Sequence, residues 1–200
     1  MFLRSQAKPG QNVAYYSMEY AISSLIRLYS GGLGVLAGDT VKSAADLGIP
    51  LYALGILWHE GYFRQSIVGG QQVASSQEWR TGKEIIDLHE KVAFEIAGQT
   101  VRAKLWGMEV PGIGDEYVPL ILLDTRRVQN HYGFEGISSR LYEASTATRL
   151  YQEMLLGIGG VRALRALDLK MAYHHLNEGH AAFAPVELLK QHGKAFKDLL

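Results

Sequence analysis

Tyr29-Ser30-Gly31-Gly32-Leu33-Gly34-Val35-Leu36-Ala37-Gly38-Asp39 stands between two apolar runs of strand length. The first run is Val13-Ala14-Tyr15-Tyr16-Ser17-Met18, and the second is Leu51 to Leu57. From about Gly34 to Leu47, the positions of Leu36, Val41, Ala44, Ala45 and Leu47 give a helical apolar spacing, and Gly48-Ile49-Pro50 stops the helix. Strand, glycine loop, helix, strand is a βαβ unit, which implies a parallel sheet. A glycine-rich turn at a helix start lets backbone N–H groups approach an anion, where the helix dipole favours negative charge. Many α/β turns use glycine only to turn, so the loop takes its meaning from its surroundings.

Working outward, residues 1–12 carry Pro9-Gly10 and read as a lead-in. Trp58 to Gln65 is an aromatic and charged loop, and residues 66–82 read as irregular and exposed. Val92–Ile96 and Val101–Leu105 alternate apolar with polar around Ala97-Gly98-Gln99-Thr100, a hairpin more like an insertion than part of a doubly wound core. Tyr117 to Leu123 is a further buried strand, followed by a loop over 126–138. One long helix is expected over about Leu141 to Leu167. Gly157, Gly159 and Gly160 lie inside it. Each costs about 1 kcal/mol of helix propensity against alanine, so close packing or backbone approach must compensate. Met171 to Leu176 is the last strand, and a helix from Glu178 reaches about His192. The fold class expected is α/β with a Rossmann-like parallel sheet and an inserted β-hairpin.

Composition narrows the function. Of the 200 residues, 20 are Lys or Arg and 20 are Asp or Glu, for a formal net charge of +0. No basic excess points to nucleic acid or to an anionic membrane, so anion binding requires a local pocket. The absence of cysteine excludes disulfides and thiolate metal sites. No apolar run approaches the roughly 20 residues of a membrane helix. Nor does Met1-Phe2-Leu3-Arg4-Ser5-Gln6 have the apolar core of a signal peptide, so a cytoplasmic protein is expected.

In an open α/β sheet, ligands collect beyond the carboxyl ends of the strands. Three polar clusters fall there: Ser17-Met18-Glu19, Trp58 to Gln65, and His174-His175-Leu176-Asn177-Glu178-Gly179-His180. His175 and His180 are five apart, and no His-Glu-x-x-His order is present, so no metal site is assigned. Asn177-Glu178 could simply cap the last helix, and His180 could be a satisfied structural histidine. In a sugar site the same carboxylate, amide and imidazole would hydrogen-bond hydroxyls. Glu19 and Glu178 could pair, but spacing alone gives no separation, and no hydrolytic pair is assigned. Ser30 lacks the setting of a nucleophile elbow.

Together these stretches resemble the α-glucan phosphorylase family of glycogen, starch and maltodextrin phosphorylases. The resemblance runs in order from about residue 12 to 190. It is carried by Val13–Glu19, Tyr29–Asp39, Lys42–Pro50, Gly61-Tyr62-Phe63-Arg64-Gln65, Gln152-Glu153, Leu156–Leu164 and His175–Phe183. It implies the N-terminal lobe of a twin-Rossmann glycosyltransferase fold. It also implies phosphorolysis of an α-1,4-glucan end to glucose 1-phosphate with retained configuration, and pyridoxal phosphate as cofactor. By motif match, Gly32, Leu33 and Gly34 would line the phosphate and glucosyl site through backbone N–H groups. Glu19, Asn177, Glu178 and His180 would face the sugar or the glucan acceptor. The implied partners are α-1,4-glucan and phosphate, with neither nucleic acid nor membrane; an oligomer is compatible.

Some residues depart from the family pattern. His59 stands where the family usually has Arg, and Gly70-Gln71-Gln72 replaces a common Gly-Trp-Gln. Tyr142-Glu143-Ala144-Ser145-Thr146 lacks the usual acidic, glycine-rich pattern. The resemblance also places the cofactor lysine beyond these residues. The expectation is therefore a single N-terminal phosphorylase domain over 1–200 without the C-terminal cofactor domain: a fragment, a split-gene product acting with a separate C-terminal chain, or a truncated frame, inactive alone. Two other readings differ in kind. A sugar-nucleotide glycogen or starch synthase has a similar Gly-Gly-Leu-Gly loop, usually after a lysine-containing segment, where Tyr29-Ser30 stands here. A non-catalytic glucan-binding remnant needs no cofactor at all.

Overall fold

In a computed structural model, the described residues are 8, 10–23, 26–60, 64–75, 84–191 and 193. Six strands form one sheet, flanked by helices, and two more form a separate hairpin. Strand β1 (Val13–Tyr16) pairs in parallel with β2 (Leu51–Ile56) on one side and with β8 (Tyr173–Leu176) on the other. β2 pairs in parallel with β7 (Tyr117–Asp124). The expected strand–helix–strand unit is thus present, with helix α1 at Gly32–Asp46, two residues longer at its start than the apolar spacing suggests.

The sheet is mixed at one edge. β5 (Ile86–Ile96) and β6 (Gln99–Pro111) are the two arms of the expected hairpin. They are longer than the alternating runs and turn through Ala97-Gly98, both at positive φ. β6 pairs antiparallel with β7, so the hairpin extends the main sheet in the order β5-β6-β7-β2-β1-β8.

Residues 66–75, expected to be irregular, form most of a second hairpin, β3 (Arg64–Val68) with β4 (Gln71–Ser75). Gly69 and Gly70 turn it with φ of 59° and 77°, values open to glycine at little cost. Ile67, Val68 and Val73 point to solvent, which erased the alternation that would have marked strands. Tyr62 and Phe63 lie outside the described residues.

The two faces of the sheet are covered differently. The hydroxyl of Tyr15 is hydrogen-bonded to Thr40 of α1, so α1 lies on that face. Tyr16 points the other way, against Gly160. The expected long helix starts later, at α2 (Thr146–Met154), with the Ser145 hydroxyl accepting from Thr148 N. It passes through a π-helical turn, Leu155–Gly159, into α3 (Gly160–Ala166). Its glycines are explained by packing. A Cβ on Gly157 would lie 2.7 Å from Ala184 N, one on Gly159 2.9 Å from Leu123, and one on Gly160 2.9 Å from Tyr16. A 3-10 turn (Gly179–Ala181) and α4 (Phe183–Gln191) replace the continuous helix expected from Glu178. The core between the layers includes Leu54, Ile56, Leu120, Leu122 and Leu123, each contributing about 1.5–3 kcal/mol on burial. No helix among the described residues is long and apolar enough to cross a membrane.

Candidate functional site

The chain runs from β1 outward to β2 and β7, then returns to β8 on the opposite side of β1. The strand order therefore reverses between the parallel β1 and β8, and the crevice beyond their carboxyl ends is the position where open α/β sheets bind ligands. The residues after those two strands meet there. Asn177 N donates to Tyr16 O at 2.9 Å, and the Asn177 side-chain amide donates to Ser17 Oγ at 3.2 Å. Ser17 Oγ in turn donates to Glu19 O at 2.8 Å. Asn177 is therefore buried and tied to β1 rather than capping a helix. Trp58, which follows β2, is fully buried, its indole donating to Met18 O at 3.0 Å; it braces this corner and offers no stacking surface.

Glu19 lies under the glycine loop and is only 2% exposed. Its Oε2 accepts from Ser30 N at 2.7 Å and from Gly31 N at 3.2 Å, and its Oε1 accepts from the Tyr142 hydroxyl. The carboxylate fixes the entry to α1, with Gly31 as N-cap. Of the amides that a helix start leaves open, Gly34 N and Val35 N turn back to Gly31 O. Gly32 N and Leu33 N donate to no described residue, and Gly32 is exposed. Gly34 is buried for a different reason: its Cβ would lie 2.4 Å from Tyr29 Cβ and 3.0 Å from Glu19 Oε2. The two glycines therefore have separate duties, one open and one packed.

His180 is half-buried on the 3-10 turn, its ring 6.0 Å from that of Tyr142. Its Nδ1 is buried and has no hydrogen-bond partner among the described residues. Burial, and then the charge of Arg149, hold its pKa below the ordinary histidine value against the opposing pull of Glu153, Glu19 and Glu178. Arg149 lies over the Tyr142 ring, 4.6 Å from its centre. Burial, and then the Glu19 hydrogen bond and charge, push the Tyr142 hydroxyl well above the usual tyrosine range, so it is a neutral donor. Glu178 is exposed and sits at φ 65°, ψ −170°, a region almost reserved for glycine that costs about 1–3 kcal/mol. Strain of that kind is a mark of functional positions.

The structure thus brings Glu19, the glycine loop, Asn177 and His180 to one end of the sheet, with Glu178 beside them. It adds Tyr142, which the sequence marks only as a departure from the family pattern, and Arg149, which it does not mark. Tyr142 has φ 59°, unusual for an aromatic residue and invisible to any periodicity. Two concavities elsewhere, one lined by Phe94, Arg162 and Glu187 and one by Lys91, Arg102 and His131, include none of these residues.

Comparison with known proteins decides the family. The carbohydrate phosphorylase family model matches residues 24–155. The chain belongs to the carbohydrate phosphorylase family. It is 38% identical to the glycogen phosphorylase of Mycobacterium tuberculosis over 94% of its length, and 40% identical to the maltodextrin phosphorylase of Thermococcus litoralis over 92%. The glycogen phosphorylase of Aquifex aeolicus is 32% identical over 86% of the chain. The chain spans 23%, 22% and 25% of those relatives, respectively. The matched residues of the family model contain the glycine loop and Tyr142, while Glu19 and the Asn177–His180 turn lie outside them.

Proposed function

We propose that this chain forms the phosphate-facing and glucan-facing wall of an α-glucan phosphorylase, a glycosyltransferase. In the proposed reaction, phosphate attacks C1 of the terminal glucose. The bond from C1 to the O4 of the next unit breaks, and that oxygen leaves as a hydroxyl, its proton balanced by the one the incoming hydrogen phosphate gives up. The observation that supports this is the pair of open amides, Gly32 N and Leu33 N, at the start of a 15-residue helix whose entry is tied through Glu19 to Tyr142, beside which lies the partly buried imidazole of His180. Two N–H groups at a helix start stabilise an oxyanion at no reorganisation cost. Gly34 serves by letting the loop close down on Glu19, and Glu19 holds the amides in place. Asn177, Glu178 and His180 take the sugar side: an amide, a carboxylate and a neutral imidazole whose Nδ1 has no partner among the described residues match hydroxyl groups that both donate and accept.

Pyridoxal phosphate is implied by the family resemblance, but two lysines among the described residues, Lys42 and Lys104, do not fit it. A Schiff base needs a free amine, whereas Lys42 Nζ donates to Ala21 O at 3.4 Å and Lys104 Nζ pairs with Asp87 at 2.7 Å. The cofactor enters the proposal only as a group held outside these 200 residues.

The test is production of glucose 1-phosphate by the full encoded protein from maltodextrin and inorganic phosphate, with pyridoxal phosphate supplied. Formation dependent on phosphate, and lost in Gly32→Val, supports the proposal. Release of nucleoside diphosphate from a nucleotide sugar without phosphate dependence overturns it in favour of a synthase. Glucan retention with neither activity overturns it in favour of a binding remnant.

A further inference from the structure

One carboxylate touches both walls of the crevice. Glu19 Oε2 accepts from the amides of Ser30 and Gly31, immediately before the open amides of Gly32 and Leu33, while Oε1 accepts from the Tyr142 hydroxyl. Tyr142 belongs to the other wall, where its ring lies beneath the Arg149 guanidinium and beside His180.

Tyr142 arrives from a firmly held anchor. Gln152 Nε2 donates to Ile137 O at 3.1 Å and to Arg140 O at 2.9 Å. His59 N and Glu60 N donate to Ser138 O and Ser139 O, and Arg140 pairs with Glu60. From that anchor the backbone takes its left-handed turn at Tyr142, which carries the hydroxyl to Glu19. A bulky residue adopts such a turn only when its surroundings require it. Gly34 completes the fit, since any side chain there would press on the same carboxylate.

From this geometry, and resting on the phosphorolytic role proposed above, we infer that Glu19 and Tyr142 form a positioning strut. Neither need touch the reacting atoms. Glu19 sets the direction of the Gly32 and Leu33 amides, and Tyr142 locks Glu19 to the acceptor-side wall, so the phosphate-facing and sugar-facing groups keep one spacing. A spacing set by a single shared carboxylate is sensitive to the loss of either bond, because near-attack geometry tolerates little displacement.

The experiment uses the full encoded protein and reads amide hydrogen exchange alongside binding of inorganic phosphate by calorimetry. Tyr142→Phe removes one oxygen and keeps the ring. The expected result is exchange in residues 29–34, read at the Ser30 and Gly31 amides that Glu19 holds, faster by about tenfold, the worth of one hydrogen bond to a charged group, with phosphate affinity lower by a similar factor. Glu19→Gln should largely rescue, because its carbonyl still accepts the two amides and its NH2 can donate to the Tyr142 oxygen. Glu19→Ala should match or exceed Tyr142→Phe, and adding Tyr142→Phe to Glu19→Ala should cost nothing further. Ser145→Ala is the control: it removes the α2 N-cap, loosens residues 145–149, and leaves residues 29–34 unchanged.

Unchanged exchange at 29–34 in Tyr142→Phe overturns the strut. So does equal acceleration in Ser145→Ala, additivity of the double variant, or acceleration that spreads through β2 and β7, which marks a general structural lesion. Absence of phosphate binding in the unmodified protein overturns the phosphorolytic role instead, while the exchange data still decide whether the strut exists.

Discussion

Gly34→Ala and Gly32→Ala place the same methyl two residues apart and should have opposite effects on stability. In a helix interior, alanine is favoured over glycine by about 1 kcal/mol, so propensity alone would stabilise both variants. Gly32 has no atom within 4 Å of an added Cβ, and at the first helical turn it should gain between zero and about 1 kcal/mol. At Gly34 the added carbon would lie 2.4 Å from Tyr29 Cβ, 3.0 Å from Glu19 Oε2 and 3.1 Å from Glu19 Cβ. Tyr29 Cβ is fixed to the backbone and cannot swing aside, so α1 or the segment carrying Glu19 must move. Overpacking of this kind costs about 1–3 kcal/mol. The movement also stretches the bonds from Ser30 N and Gly31 N to the carboxylate, each worth about 1.5–3 kcal/mol when lost outright. Partial loss of those bonds outweighs the propensity gain, leaving Gly34→Ala less stable by about 2–4 kcal/mol. The assay is urea unfolding followed by circular dichroism, comparing midpoints at constant slope. If Gly34→Ala unfolds at or above the midpoint of Gly32→Ala, the assignment of one glycine to packing and the other to an open wall is refuted.

Asp124 is buried, which raises its pKa, but the hydrogen bond and charge of His59, the Arg126 N–H and the charge of Arg127 together hold it below the ordinary value. A depressed folded-state pKa means stability that is full above the unfolded value near pH 4 and lost as pH falls through the folded value. Thermal melts between pH 5 and pH 2 should show this loss, and Asp124→Asn should flatten it while costing about 3 kcal/mol at neutral pH. His180 and His174 are both held below the usual histidine value, each mainly by burial. Their contribution is present above about pH 6.5 and declines as pH drops through the folded-state values, so NMR titration should place both midpoints below that of a free histidine. Gln152→Leu strips the Ile137 and Arg140 carbonyls of their donor and should lower stability by about 1–3 kcal/mol, read by urea unfolding.

Much of this arrangement was legible in the chain. The runs Val13–Met18 and Leu51–Leu57 announced parallel strands because strands buried on both faces are apolar throughout. The glycine loop between them announced a helix start. What the sequence could not divide was the labour among its glycines, because open space and close approach use the same residue. The hairpin β3–β4 leaves no alternation in the sequence because its apolar side chains face solvent, although Gly69-Gly70 is an available turn signal. α2 starts later than the apolar spacing suggests, although Ser145 is an available cap. The π-helical turn and the left-handed Tyr142 carry no such local signal, because each is set by what packs against it.

The position of Glu19 has a consequence for charge. A resident carboxylate at a helix start already occupies part of the favourable dipole, and it takes the amides of Ser30 and Gly31. In the role proposed for this wall, an incoming oxyanion would meet Gly32 N and Leu33 N, the amides with no acceptor among the described residues, near a fixed negative charge. The chain as a whole has a formal net charge of +0, so no long-range field compensates. Anion binding at this wall must then come from short, directed hydrogen bonds and from cations brought close to it. Such contacts are screened far less by salt than surface charges a Debye length apart. On the proposed function the wall would select by geometry, held by the same carboxylate that makes the site electrostatically less welcoming.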